Sequence, residues 1–145
     1  MLKLENITKK FQETTVLDGI NLEIESGEIV SILGQSGSGK TTLLNLILGL
    51  DEPSGGEIFF NNQKITHTLM EKRPFNIVFQ DYALFPNLTA YQNLTYGLRN
   101  KKECSTKAEV DELIQLLNLE KHLEKPIHQL SGGQKQRVAL GRTLV

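Results

Sequence analysis

The sequence predicts an α/β fold, with strands in the first half of the chain and helices in the second. Three observations carry that expectation. An apolar, β-branched run, Glu28-Ile29-Val30-Ser31-Ile32-Leu33, leads into Gly34-Gln35-Ser36-Gly37-Ser38-Gly39-Lys40-Thr41, and a helix-like run over 42–48 follows before Gly49. Residues 2–7 alternate apolar and polar side chains, as a half-buried strand does. Beyond residue 87 the period becomes helical, with Val110, Leu113, Ile114 and Leu117 on one face.

The glycine-rich stretch fits the pattern G-x-x-x-x-G-K-[ST] in full. Gly34, Gly37 and Gly39 are expected to take backbone angles costly for other residues, so that successive N–H groups converge. Those donors and the dipole of the helix behind them favour a polyphosphate anion. Lys40 adds a compact charge for the outer phosphates, and the Thr41 hydroxyl can coordinate Mg²⁺. The plainer alternative is a glycine-rich turn without a ligand; a buried strand before it and a helix after it argue against that.

Composition narrows the classes. The 145 residues suffice for one domain with its own core. A formal net charge of −1, without a basic tail or stripe, argues against nucleic acid as partner. The lone Cys104 excludes an internal disulfide and fits a reducing compartment. The first residues do not read as a signal peptide, and the longest apolar run, 43–50, is interrupted by Asn45 and too short for a bilayer. Work at a membrane would need another chain. His67, His122 and His128 share no metal-ligand spacing and read as ordinary surface or loop residues.

Taken in order, 16–24 reads as a second strand with a kink at Gly19, and Ser26-Gly27 as a turn. Phe11 falls in the polar loop between the first two strands, where it either stacks on a purine base or packs inward. Residues 46–52 imitate the apolar strand ending in Asp-Glu that holds magnesium in phosphate-loop ATPases. They follow directly on a helix, however, with no connection that would return the chain as a parallel strand, so Asp51 and Glu52 read as solvated acids. A strand over 56–63 runs into a turn. Another over 75–79 ends at Gln80, well placed to meet a γ-phosphate and metal. The aromatic loop after it is either a partner surface or a local mini-core. Thr106 and Glu109 form a capping box, and Pro126 ends the helical region. Ser131 then caps a last helix through 144. Gly132 and Gly133 sacrifice roughly 1 kcal/mol each of helix propensity against Ala in its first turn. Bare N–H groups, a hydroxyl and a positive dipole end there make a second anion site.

Leu130-Ser131-Gly132-Gly133-Gln134, together with the phosphate loop and Gln80 in that order, resembles the nucleotide-binding subunit of ABC transporters from Met1 to Val145. The stretch 79–86 looks most like importers of polyamines, ferric iron, sulfate or sugars. The resemblance implies a phosphate-loop NTPase core of the ABC type, with N-terminal antiparallel strands and a helical signature subdomain: a core over 1–86, a helical part over 87–130, and the signature helix over 131–145. It implies ATP held by Phe11, Val16, Gly34, Ser36, Gly37, Ser38, Gly39, Lys40, Thr41, Thr42 and Gln80, with Mg²⁺ at Thr41 and Gln80. Phe11 stands where the family usually has Tyr, and Gly141 where alanine is common, which should soften the last helix. Ser131, Gly132, Gly133 and Gln134 would meet the ATP of a second copy, head to tail. Further implied partners are permease subunits docking at 80–86 and, indirectly, a solute-binding protein, with the chain peripheral on the cytoplasmic face of the membrane. The family pattern continues into a magnesium-binding aspartate, a catalytic glutamate and a switch histidine, for which the sequence has no counterpart. The expectation is therefore a partial cassette that binds ATP and hydrolyses it slowly or not at all, with an incomplete sheet, exposed apolar edges and self-association or marginal stability. The alternatives are a non-transport ABC ATPase of the DNA-repair, chromosome or translation kind, an unrelated phosphate-loop kinase or GTPase, and a nucleotide-binding module without enzymatic duty.

Overall fold

The computed structural model describes residues 1–99 and 105–145; Cys104 lies outside them. The chain forms two compact units, Met1–Phe75 and Asn76–Val145.

In the first unit, β1 (Leu2–Phe11) and β2 (Thr14–Ile24) form an antiparallel hairpin. β3 (Gly55–Phe60) pairs with the other edge of β1 and β4 (Gln63–Lys64) with β3, giving the order β2-β1-β3-β4 with every pair antiparallel. The simple alternation expected for β1 is broken by a bulge. Asn6 has φ 50° and its N–H donates to Asn21 Oδ1 at 2.9 Å, so Leu4 and Ile7, three apart, both turn inward. A Cβ on Gly56, whose φ is 84°, would lie 2.4 Å from Asn6 O, so the bulge requires glycine opposite it. The expected strand over 56–63 breaks at Asn61 and Asn62, both at positive φ, where the chain turns back as β4.

Helix α1 (Lys40–Leu48) sends Leu43, Leu46 and Ile47 into one core with Leu4, Ile7, Leu17, Ile58 and Ile65. Gly49, at φ 77°, ends it in a left-handed cap. The guanidinium of buried Arg73 then closes over its last carbonyls. It donates to Leu46 O and Ile47 O, each at 2.8 Å, and to Thr66 O and Thr68 O. Burial lowers its pKa. A helix over these residues bears out the rejection of an Asp-Glu strand. The reading of Asp51 as a solvated acid is corrected, because it accepts from the buried ammonium of Lys9 at 2.7 Å, while the Glu52 side chain is exposed.

Two expected strands are absent. Residues 28–33 form none, and Ile29 and Leu33 are 95 % and 91 % exposed. Residues 75–79 form none either, and Val78 and Phe79 are exposed. Both runs are apolar on both faces, the composition of strands buried inside a parallel sheet. A strand exists only where neighbours answer its N–H and C=O groups. Among the described residues the sheet is antiparallel throughout and offers these segments no ladder. The expected incomplete sheet with exposed apolar residues is present at these two places.

In the second unit, α2 (Ala90–Leu94), α3 (Lys107–Leu116) and α4 (Gly132–Leu144) surround a core that includes Leu94, Val110, Ile114, Leu117, Leu119, Leu130 and Val138. Each of the three helices starts in a full capping box: Thr89 with Gln92, Thr106 with Glu109, and Ser131 with Gln134. The Glu109 carboxylate, bonded to Thr106 N–H and Oγ1, has its pKa lowered by those bonds. Gly141 is a packing residue here. A Cβ on it would stand 2.9 Å from Leu117 Cδ1 and 3.0 Å from Leu94 Cδ1, so its absence lets the helices close.

Candidate nucleotide site and signature helix

The start of α1 is left open by its own sequence. Gly39, the N-cap, lies at φ 89° and offers no side chain, and no other side chain caps the helix. The intrahelical ladder begins only with Leu43 N–H to Gly39 O, 2.8 Å, so the N–H groups of Lys40, Thr41 and Thr42 precede it. Gly37 is also left-handed, at φ 81°. The expectation of unusual angles fails at Gly34, which has no positive φ. Its part is close approach, since a Cβ there would stand 2.6 Å from Ser38 Oγ. Gly39 combines both reasons: besides its φ, a Cβ would meet Leu17 Cδ2 at 2.8 Å and Val16 O at 3.2 Å. The glycine is thus wedged between the helix start and β2.

Lys40 folds back over the loop. Its ammonium donates to Gly34 O at 2.8 Å, Gln35 O at 2.7 Å and Ser38 Oγ at 3.3 Å. These are neutral acceptors, so the positive charge stays uncompensated beside the open N–H groups. Val16, half-buried, joins residues 37–42 around a concavity of about 140 Å³. Thr41 is exposed and Thr42 half-buried in its lining, and Ser36, just before the lining residues, is exposed. A larger cavity of about 410 Å³ lies between β2, residues 30–34 and the start of α1; it shares Ser38, Gly39 and Lys40 with the first, and the rest of its lining is mainly apolar.

Phe11 is the last residue of β1, a correction to its expected loop position; β2 begins three residues on. It is half-exposed with the Lys9 ammonium 4.9 Å from the ring centroid. The inward alternative is therefore the one the structure does not adopt.

Gln80 belongs to the second unit, where it is exposed in a turn rather than at a strand end. The loop after it is held from α4. Arg142 donates to Ala83 O at 2.7 Å and Tyr82 O at 3.2 Å, and its guanidinium lies 5.3 Å from the Phe85 ring. Tyr82 and Ala83 both have positive φ, so this arginine restrains a strained turn. Phe85 also packs on Tyr96, with centroids 4.4 Å apart, and its backbone N–H donates to fully buried Asn93. The aromatic loop is partly a mini-core, although Phe79, Phe85 and Tyr91 remain substantially exposed. Sequence reasoning missed Arg142; its only signal was a cation beside Gly141 on the packed side of a helix.

The start of α4 is finished differently. Ser131 Oγ accepts from Gln134 N–H at 3.3 Å, and Gln134 Oε1 accepts from Ser131 N–H at 2.8 Å. Gly132 and Gly133 are exposed in the first turn. The Gln134 amide nitrogen also meets His122 Nε2 at 3.1 Å, so His122, expected as an ordinary surface or loop residue, lies in a short turn and is a half-buried partner of the cap.

For a metal, the donors at α1 are few. Among the described residues no group of three His, Cys, Asp or Glu is placed to hold one. An exposed Thr41 hydroxyl beside a phosphate site fits an ion of the Mg²⁺ kind, which keeps waters and takes phosphate oxygens, and does not fit a protein-caged ion.

The ABC transporter family profile matches residues 17–145. The chain belongs to the ABC transporter family. Among curated relatives of this ABC chain, the spermidine/putrescine import ATP-binding protein PotA of Spiroplasma citri is 48 % identical over all of it, and the Fe(3+) ions import ATP-binding protein FbpC of Escherichia coli K12 is 44 % identical over 99 %. The chain covers 42 % of each of those proteins. Among solved structures, cbiO1 of Clostridium perfringens, part of the ABC transporter complex cbiONQ, matches 99 % of this chain and 60 % of its own at TM-score 0.86 and 36 % identity. A dimeric ATP-binding cassette, MJ0796, in a post-hydrolysis state bound to ADP and Pi, matches 99 % of this chain and 69 % of its own at TM-score 0.79 and 39 % identity. Among the described residues no helix of the ABC chain is long and apolar enough to cross a membrane.

Proposed function

We propose that the protein to which this chain contributes is the ATP-binding subunit of a membrane importer, powered by ATP binding and hydrolysis in a head-to-tail pair of cassettes. The uncapped start of α1 carries this reading: among the described residues no side chain caps the three helix N–H groups beside the concavity, and the Lys40 ammonium there is bonded only to neutral oxygens. The triphosphate lies on residues 34–42 and adenine against Phe11 and Val16, and Thr41 and Gln80 are the residues that would hold Mg²⁺. Bound Mg²⁺ supplies charge neutralisation on the phosphate oxygens. Ser131, Gly132, Gly133 and Gln134 of a second copy close on the same nucleotide. ATP then favours the closed pair and ADP does not, and that difference drives the change of shape. The 80–86 loop, with its exposed aromatic rings, takes the permease subunits, which hold the cassette on the cytoplasmic face of the membrane and communicate with a solute receptor. Gln80 orients water or metal and, being an amide, does not serve as a carboxylate base.

The test is uptake by the reconstituted assembly, full-length subunit with its permease, in sealed vesicles supplied with ATP. Spermidine and ferric iron are the first solutes to try, since they name the relatives. ATP-dependent accumulation that Lys40→Ala abolishes is expected. Accumulation unchanged by Lys40→Ala, or by omission of ATP, would refute the reading.

A further inference from the structure

We propose that His122 is a positioning residue for the signature, fixing the orientation in which the Gln134 amide caps α4; its bearing on nucleotide rests on the function proposed above. The chain of reasoning starts at Ser131. Its N–H donates to Gln134 Oε1 at 2.8 Å, the only acceptor that the Gln134 amide offers. The amide nitrogen must then face the other way, where His122 Nε2 waits at 3.1 Å. An amide –NH₂ only donates, so Nε2 accepts and carries no proton. The ring proton then sits on Nδ1, an atom that is buried and, among the described residues, has no hydrogen-bond partner. A histidine packed for stability alone would place its N–H toward an acceptor. Here the orphaned position is at Nδ1 and the satisfied one is at Nε2, facing the signature.

The ring is held firmly enough for this duty. His122 closes a single 3-10 turn, Glu120–His122, with its N–H on Leu119 O at 2.8 Å and its carbonyl accepting from Lys125 N–H at 3.1 Å. Leu119, which accepts that N–H, is fully buried. Gln134 is therefore engaged at both ends of its amide, by Ser131 and by His122. Its side chain is folded onto the cap, leaving the exposed Gly132 and Gly133 to face outward. Without His122 the amide can rotate end for end, and the Ser131 N–H loses its acceptor for part of the time.

Nitrogen-15 NMR of the imidazoles in the unsubstituted chain reads the tautomer directly, and a proton on Nδ1 of His122 is expected. Hydrogen exchange at the Ser131 amide reads the consequence. His122→Phe should accelerate it about fivefold, the equivalent of one ordinary hydrogen bond. His122→Gln, whose carbonyl can accept the same amide proton, should restore much of the protection. In a Gln134→Ala background His122→Phe should change nothing. A proton on Nε2, or equal acceleration in both backgrounds, would overturn the proposal. Nucleotide is absent throughout, so failure here leaves the ATP-binding reading standing, and failure of that reading leaves this one intact.

Discussion

Helices α1 and α4 each begin beside glycines, and each begins at a place where the sequence points to an anion, but their first turns are completed in opposite ways. At α1 the N-cap is Gly39, left-handed, wedged against Leu17 and Val16, with no side chain over the helix N–H groups. At α4 the N-cap is Ser131 with an extended backbone, and the sequence supplies its own cap through Gln134, which His122 holds in turn. The glycines differ in the same sense. Gly39 cannot be anything else, whereas a Cβ on Gly133 would meet nothing within 4 Å. On the proposed function, the start that takes the phosphates is left unsatisfied and sterically fixed, and the start that meets the nucleotide of a second copy is capped by its own sequence and leaves only its glycines bare.

That contrast breaks or sharpens by substitution. The largest effect is expected from Lys40→Ala, which should weaken ATP binding by about 10- to 100-fold, the range for hydrogen bonds to a charged group, as read by titration calorimetry. Next come the glycines, whose signs should differ. Gly39→Ala should cost about 2–3 kcal/mol in a denaturant melt, from a left-handed alanine together with the clash at Leu17. Gly133→Ala should stabilise by up to about 1 kcal/mol through helix propensity. Equal effects at both sites would dissolve the distinction. Ser131→Ala should cost about 1 kcal/mol, as loss of a helix cap does, and no comparable cap exists to be removed at α1. The smallest effect lies away from both starts and serves as a control. The Lys9 ammonium holds the Asp51 carboxyl below its ordinary pKa. A carboxylate depressed in the folded state contributes stability above its unfolded pKa and loses it as pH falls through the folded one. Asp51→Asn should therefore cost less than about 1 kcal/mol near neutrality, and the difference between the two melts should vanish in acid.

The phosphate loop, the hairpin, the caps at Thr106 and Ser131 and the end of α1 at Gly49 were legible because each is written within a few residues of itself. Residues 28–33 were misread for the complementary reason. Their composition describes a strand with neighbours on both sides, and pairing is a property of other segments. The same limit hid the Asn6 bulge, which depends on Gly56, and the Lys9–Asp51 pair, which joins residues distant in sequence. In the candidate site, Gly34 was assigned the wrong reason, since Gly34 and Gly39 look alike in a pattern and only the φ and the neighbouring atoms separate them. Arg73 and Arg142 went unnoticed, and His122 was read as an ordinary surface or loop residue, because each works by reaching carbonyls or an amide presented by another element, and side-chain type alone announces none of these.

The most direct measurement follows the backbone amides of the chain by NMR as Mg-ATP is added at dilute protein concentration. Amides of residues 37–42 should shift along one saturable curve, Lys40→Ala should move its midpoint to about 10- to 100-fold higher Mg-ATP, and residues 131–134 should stay in place until cassettes pair. Amides at 37–42 that do not move while the spectrum remains that of a folded chain would contradict the claim that the start of α1 is built to hold an anion.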